Sequence, residues 1–583
     1  MFRRLLLIFA IPLTLAAPVE ARETRRAHVA AAPVFARGMV SAADPRAAEA
    51  GVEMLRAGGS ATDAALAVMF ALTVVEPQSS GIGGGGFYLS SDASGHIDTI
   101  DGRESAPAAA TEAWFTRAGK VLAFSDVVPG GTSVGVPGNM ALAVKAHSAH
   151  GRLPWAKLFQ PAIRLARGGF VMSPRLHDFL SAAAPSATFD PAARKLFFAP
   201  DGTTPLPAGT LVRNPALART FAALARGGAK GGAKAFYQGP NAAAIIARVR
   251  SAPRNPEAMT LADLASYQAK SRPPVCGLYR AYRICGMGPP SSGATTVFAV
   301  LKQLERFDLT ALGPDSPVAM HLITESMRLA YADRARWLGD SDFVTVPLAG
   351  LTDTNYLAGR SALIDPGKTL ALVTAGVPPG AQTLSRADAQ PGEEHGTSHF
   401  VAIDRRGGVV TYTSTVESAF GSGLMVGGYF LNNELTDFDF APVQDGRPAA
   451  NRVQAGKRPR SSMAPTLVYA PDGKLRLAIG AAGGATIPAQ VLKAIIGVID
   501  WHLSAQQAVA LPVIFAPTGN TVWVEKGTSA EAMIPALTAL GHRDVRARAA
   551  SFKANAIEVI SDGKTGVLSG TADPRSEGRA VSE

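Results

Sequence analysis

The sequence predicts a mixed α/β fold, of the α+β kind, in which sheets are covered by helices, and three observations carry it. The run Ala64-Ala65-Leu66-Ala67-Val68-Met69-Phe70-Ala71-Leu72 is apolar on every side, the pattern of a helix buried all round. From residue 397 onward the pattern switches to short segments rich in β-branched residues, which read as strands. Helical stretches lie between the later strands, so the sheets have helices to cover them.

Each element follows from local chemistry. Asp44-Pro45 is a cap followed by proline at the first helical position, and Gly58-Gly59 ends that helix. Ser60 with Asp63 three residues on starts the apolar helix in the manner of a capping box. Gly81-Ile82-Gly83-Gly84-Gly85-Gly86 follows; no Gly-Lys-Ser/Thr comes after it and no strand precedes it, so it reads as a buried glycine turn beside a site rather than a phosphate loop. Residues from Ser90 to Arg103 alternate as strands. The middle of the chain, roughly 150–370, is mainly helical by pattern. Thr374–Gly396 is rich in glycine, proline and polar residues without periodicity, and such long loops are usually functional or disordered. Phe400–Ile403 and Val409–Thr415 form a hairpin turning at Arg405-Arg406-Gly407-Gly408, and further strands are expected at 465–470, 475–480, 521–524 and 556–560.

The chain has 583 residues, 47% apolar and 18% charged, which fits a globular protein with more than one simple core. Its net charge of +11 comes from scattered, Arg-rich positions without a nucleic-acid motif, so no nucleic-acid partner is expected. Arg3 and Arg4, an apolar run from Leu5 to Ala17 and the small residues around Ala21 have the form of a cleavable signal over residues 1–21. The run is too short to span a bilayer comfortably, so a periplasmic or secreted chain without a stable membrane span is expected. Cys276 and Cys285 bracket a tight-hairpin pattern. In an exported chain they can form a disulfide, although spacing alone does not give their separation.

Gly396-Thr397-Ser398-His399 carries the chemistry. An internal threonine becomes N-terminal if the bond before it is cut, and then holds nucleophile and base on one residue. Its α-amine would titrate near about 7.7–8, close enough to neutral to accept a proton. Without more, a threonine before a strand is a strand threonine. The turn at Arg406 brings Thr397 within about one residue of lying opposite Thr415, with register setting the face. His395 and His399 would share a face for a metal only on a helix, which the glycine and the strand pattern exclude; His399 is expected beside the nucleophile.

The chain resembles the gamma-glutamyltranspeptidase family of N-terminal nucleophile hydrolases. The stretches that carry the resemblance are Val74 to Phe87, Gly102 to Pro107, Pro289 to Gly293, Gly396 to His399, Phe420 to Gly423, Leu431 to Glu434, Asp437-Phe438, Ser461 to Met463, Gly483-Gly484 and Asp573 to Arg575. They occur in the family's order over nearly the whole mature chain. The resemblance implies a four-layer αββα sandwich and autocatalytic cleavage between Gly396 and Thr397. It implies a large subunit of 22–396 and a small catalytic subunit of 397–583, together forming one αββα unit. It implies attack by Thr397 on the γ-glutamyl amide of glutathione and related compounds, with water or an amino-acid or peptide amine resolving the acyl-enzyme. No cofactor or metal is called for.

The resemblance also assigns roles. Thr415 contacts the nucleophile, and Gly483 and Gly484 supply the oxyanion hole. Arg103, Ser461 and Ser462 take the glutamyl α-carboxylate, while Glu417, Glu434 and Asp437 take the α-ammonium. Some members have Asn where Glu417 stands here. The segment Asp439–Arg460 is short and holds Phe440 but no Tyr or Trp, so a more open glutamyl pocket is expected. The alternatives are a cephalosporin (glutaryl) acylase of the same superfamily and a degenerate, non-enzymatic γ-glutamyl peptide binder.

Overall fold

The computed structural model describes residues 35–382, 396–444, 446–517, 519–549, 552–561 and 566–583. The signal segment and His395 lie outside the described residues, as does most of the second half of the long loop before Gly396. Among the described residues no helix is long and apolar enough to cross a membrane.

Two antiparallel sheets form the centre. The first runs Arg579–Ser582, Met39–Ala42, Gly396–Ile403, Val409–Glu417, Gly85–Ser91, Ile97–Gly102 and Lys270–Ser271 in spatial order. The second runs Gly566–Ala572, Lys553–Ser561, Leu475–Ala482, Thr466–Tyr469, Tyr282–Gly286 and Val275–Tyr279. Alternation along the strands explains the stacking, because successive side chains point to opposite faces. On Gly396–Ile403, Phe400 and Ala402 join the helices Pro45–Arg56 and Ala61–Val75 in one apolar core. Val401 and Ile403 instead pack against Leu467, Tyr469, Ala478 and Ile557 of the second sheet. The far face of that sheet, through Leu477, Ile479 and Ala481, packs on the helices Gly293–Leu304, Pro317–Trp337 and Ile487–Ile499. The result is helix, sheet, sheet, helix.

The local signals form as expected. Asp44 caps the first helix by accepting from the Arg46 amide, and Ser60 and Asp63 close a capping box. Every residue of Ala61–Val75 is buried. Expected strands at 465–470, 475–480 and 556–560 appear as Thr466–Tyr469, Leu475–Ala482 and Lys553–Ser561. Thr521–Glu525 forms a strand too, but in a separate three-stranded sheet beside the core. Cys276 and Cys285 lie directly opposite each other on a hairpin and are joined as a disulfide across a Cα separation of 4.2 Å.

One expectation needs correction. The Gly396–Thr397 bond is not in a loop: both residues belong to the strand Gly396–Ile403. A β-bulge falls between them, where Gly396 pairs with Glu417 and Thr397 with Thr415, leaving Val416 as the extra residue. A bulge bends the strand and breaks the ladder locally, so the bond is set off from regular pairing without leaving the sheet.

Candidate active site

The site lies where the paired strands Gly396–Ile403 and Val409–Glu417 end. Thr397 and Thr415 are directly opposite, and their Oγ1 atoms are 3.1 Å apart. The Thr415 hydroxyl donates to the Gly396 carbonyl at 2.6 Å and accepts the Glu417 N–H at 2.8 Å. Its single proton is thereby committed to Gly396, so in the 3.1 Å contact Thr397 is the donor. The carbonyl on one side of the Gly396–Thr397 bond is thus polarised by the residue that orients the hydroxyl on the other. The glycine turn makes room for this. A Cβ at Gly84 would come within 1.9 Å of the Thr415 carbonyl oxygen, and one at Gly83 within 2.0 Å of that of Phe430.

Two further layers fix the strand Gly396–Ile403. His399, on the same face as Thr397, is fully buried between the hydroxyls of Thr413 at 2.8 Å and Thr411 at 3.2 Å, and lies against Gly480 of the second sheet. Burial pushes its pKa down to about 3, so the ring is neutral. On the other face, Ser398 donates to Glu76 at 2.6 Å, and Glu76 pairs with Lys553 at 3.2 Å. Burial brings the Lys553 ammonium down to about 8 against the pull of Glu76.

Gly483 and Gly484 follow the strand Leu475–Ala482, with φ of 131° and 59°, a region that glycine enters without steric cost. They lead into Ile487–Ile499 through a short 3₁₀ turn. Tyr331 donates to the Ala485 carbonyl at 2.6 Å and Gln490 to that of Ala482 at 2.8 Å, which brace the turn from both sides.

The remaining assigned residues gather as a charged end. Arg103 is 1% exposed and forms ion pairs with both Glu434 and Asp437. It also donates to the carbonyls of Pro459 at 3.2 Å and Arg460 at 3.1 Å, just before Ser461 and Ser462. Burial raises Glu434 well above the usual carboxylate range, with Arg103 opposing. The neighbouring Glu104 is pushed up to about 7 for the same reason, again against Arg103. Burying carboxylates together disfavours charging all of them.

Glu417 sits between the two ends. Its backbone amide bonds Thr415, and its carboxylate accepts from Ser418 at 2.5 Å and from Asn433. Its φ is +78°, strained for a residue with a Cβ; an Asn would tolerate this conformation better.

The structure therefore brings together Thr397 with Thr415, and Arg103 with Glu434 and Asp437. Ser461 and Ser462 adjoin the Arg103 carbonyl contacts. Arg103 closes onto its two acids, and the three side chains are at most 5% exposed. Phe440 stacks on Phe115 with centroids 4.1 Å apart. Sequence reading assigned no role to Arg334, Lys553 or Asn433, whose contacts cross long stretches of chain and leave no spacing to read. His321, Glu325 and His542 also converge elsewhere. Their ligand atoms serve one another and Arg328, Thr369 and the Leu370 amide, so nothing there points to a bound ion.

The chain is similar over nearly its whole length to known proteins. The family model described as gamma-glutamyltranspeptidase matches residues 47–582. A glutathione hydrolase proenzyme of Bacillus subtilis (strain 168) is 36% identical, covering 93% of this chain and 91% of its own. The acylase ACY 1 proenzyme of Pseudomonas sp. (strain SE83) is 35% identical, covering 94% and 93%. Among solved structures, a cephalosporin acylase from Bacillus halodurans superposes with a TM-score of 0.79 at 26% identity, covering 98% of this chain and 99% of that one. With its fold, its motif order and a family match over nearly its whole length, the chain belongs to the gamma-glutamyltranspeptidase family.

Proposed function

We propose that the protein is a self-processing gamma-glutamyltransferase and glutathione hydrolase whose nucleophile is Thr397. The observation that carries this is the contact set at the bulge: Thr397 Oγ1 against Thr415, and Thr415 bonded to the Gly396 carbonyl. In processing, Thr397 Oγ1 adds to the Gly396 carbonyl carbon. The C–N bond breaks, the hydroxyl proton ends on the departing amine, and an ester links Gly396 to Thr397. Water hydrolyses the ester, leaving a Gly396 carboxylate and a free Thr397 α-amine. The products are a large subunit ending at Gly396 and a small one of 397–583, with residues 1–21 removed on export to the periplasm or the medium.

In turnover the α-amine accepts the Thr397 hydroxyl proton as Oγ1 attacks the γ-glutamyl amide. The amide N–H groups of Gly483 and Gly484 are suited to the oxyanion, since donors fixed in a water-poor site need no reorganisation. The leaving amine takes a proton, and water or an acceptor amine then opens the acyl-enzyme. Binding exchanges ion pairs. The substrate α-ammonium takes over Glu434 and Asp437 with Glu417 nearby, and its α-carboxylate takes the freed Arg103 fork together with Ser461 and Ser462.

The second reading, a glutaryl acylase, draws on the likeness to the Pseudomonas acylase. A glutaryl group has no α-ammonium, so it would draw Arg103 from its two acids and leave them buried without a cation, which is costly. The test takes the purified protein. The small fragment is expected to begin at Thr397 by N-terminal sequencing, and γ-glutamyl-p-nitroanilide to turn over faster than glutaryl-p-nitroanilide. A fragment starting elsewhere, or preference for the glutaryl substrate, overturns the proposal.

A further inference from the structure

Ser462 is buried, and its hydroxyl is already in use. Arg334, in the helix Pro317–Trp337, donates from Nη2 to Ser462 Oγ at 2.7 Å and from Nε to Ser292 Oγ at 2.8 Å. Ser292 in turn donates its own proton to the Ser461 carbonyl at 2.6 Å and its amide to the same oxygen at 2.8 Å. One guanidinium therefore grips both serine-bearing turns, Ser291-Ser292 and Ser461-Ser462, and is itself only 7% exposed.

A hydroxyl has one proton and two lone pairs. A guanidinium only donates, so its bond occupies a lone pair of Ser462 and forbids Ser462 from donating back. The Ser462 proton has no acceptor among the described residues. It is free for an anion, and the cation behind the oxygen makes it a stronger donor. Arg103 packs against the same turn, donating to the carbonyls of Pro459 and Arg460. The same helix braces the other end of the site through Tyr331 and the Ala485 carbonyl, with Arg334 over the Tyr331 ring at 5.6 Å.

We propose that Arg334 is a positioning residue for the substrate carboxylate: without touching the substrate, it holds Ser462 as an obligatory hydrogen-bond donor and adds a second positive charge behind it. This rests on the γ-glutamyl reading above. Arg103 would then neutralise the carboxylate directly, and Arg334 would act through Ser462.

The test is a double-mutant cycle on processed protein with Arg334→Gln, Ser462→Ala and both. It uses γ-glutamyl-p-nitroanilide and 4-aminobutyryl-p-nitroanilide, which lacks the α-carboxylate. Arg334→Gln is expected to raise KM for the γ-glutamyl substrate about tenfold, with kcat within about twofold of wild type. The double variant should be no worse than Ser462→Ala, and KM for the aminobutyryl substrate should not change. Additive losses, or equal losses on both substrates, overturn the proposal. If Arg334→Gln is not processed, Arg334→Lys, which keeps the charge but cannot span both hydroxyls, enters the same cycle under the same criteria. Should the wild type prefer the glutaryl amide, the functional reading falls. The cycle run on that amide, which keeps a terminal carboxylate, still decides the role of Arg334.

Discussion

At the end proposed to hold the nucleophile, Gly396, Thr397 and Thr415 lie on one hairpin and meet through hydroxyls and backbone groups that carry no charge. At the end assigned to the glutamyl group, Arg103 reaches Glu434, Asp437 and the turn before Ser461-Ser462 from a distant segment, 334 residues before Asp437, and they meet through buried charge. The first end must place one oxygen against one carbonyl, a task that strand register performs. The second must hold a zwitterion's two charges out of water, a task that needs paired ions before the substrate arrives. Damage at the two ends should therefore look different: lost chemistry at one, lost binding at the other.

The largest effect is expected at the first end. Thr397→Ala removes the hydroxyl proposed to form the covalent intermediate. The chain should stay uncut on a denaturing gel, and γ-glutamyl turnover should fall by on the order of 10³-fold or more. Efficient cutting of this variant would break the comparison at its root. Next comes Arg103→Gln at the second end. It leaves Glu434 and Asp437 buried without their cation, and losing one partner of such a pair costs about 2–5 kcal/mol. KM for γ-glutamyl-p-nitroanilide should rise about 10²-fold or more, while processing at Thr397, measured on a gel, continues. A variant that binds normally but is not processed would show that the two ends are not separable.

The same contrast governs what the sequence reveals. The hairpin around Thr397 is short-range: its turn at Arg406 and the alternation on both arms place Thr397 opposite Thr415 to within one residue. The helix caps at Asp44 and Ser60 are equally local and form as read. The bulge is harder, because the extra residue Val416 changes register without changing composition. Arg334 is harder still. It sits in a helix of 21 residues, nearly all buried, where neither amphipathic pattern nor motif spacing separates a bonded arginine from a packed one. The family's motif order supplied Arg103, Glu434 and Asp437 as substrate ligands. That they grip one another as buried ion pairs is a property of the packed structure that no list of motifs contains.

A smaller effect sharpens the first end. Thr415→Val keeps the shape but removes the hydroxyl that bonds the Gly396 carbonyl, the Glu417 amide and Thr397. One neutral hydrogen bond contributes about 1 kcal/mol, so processing and kcat should each slow about fivefold. KM should be little changed, because no charge is lost. Time courses of chain cleavage together with steady-state kinetics check this. A rise in KM without a fall in kcat would instead assign Thr415 to substrate binding.

The smallest effects concern stability, and here the two ends carry opposite signs. His399, on the same strand face as Thr397, has its pKa lowered from 6.5 to about 3 by burial. Between those values the unfolded chain binds a proton that the folded ring refuses, so its contribution is lost as pH falls through that window. Glu104, at the charged end, has its pKa raised from 4.5 to about 7 by burial. Between those values the folded protein holds a proton that the unfolded chain has released, so stability is lost as pH rises toward 7. Each slope is at most about 1.4 kcal/mol per pH unit. In urea unfolding of the processed protein, His399→Gln should therefore flatten the decline between about pH 6 and pH 4, and Glu104→Gln should gain on wild type from about pH 5 to pH 8. If both substitutions shift the curve by the same amount at every pH, neither burial sets the charge state of its group. The division of the site into a neutral end and a charged end would then rest on kinetics alone.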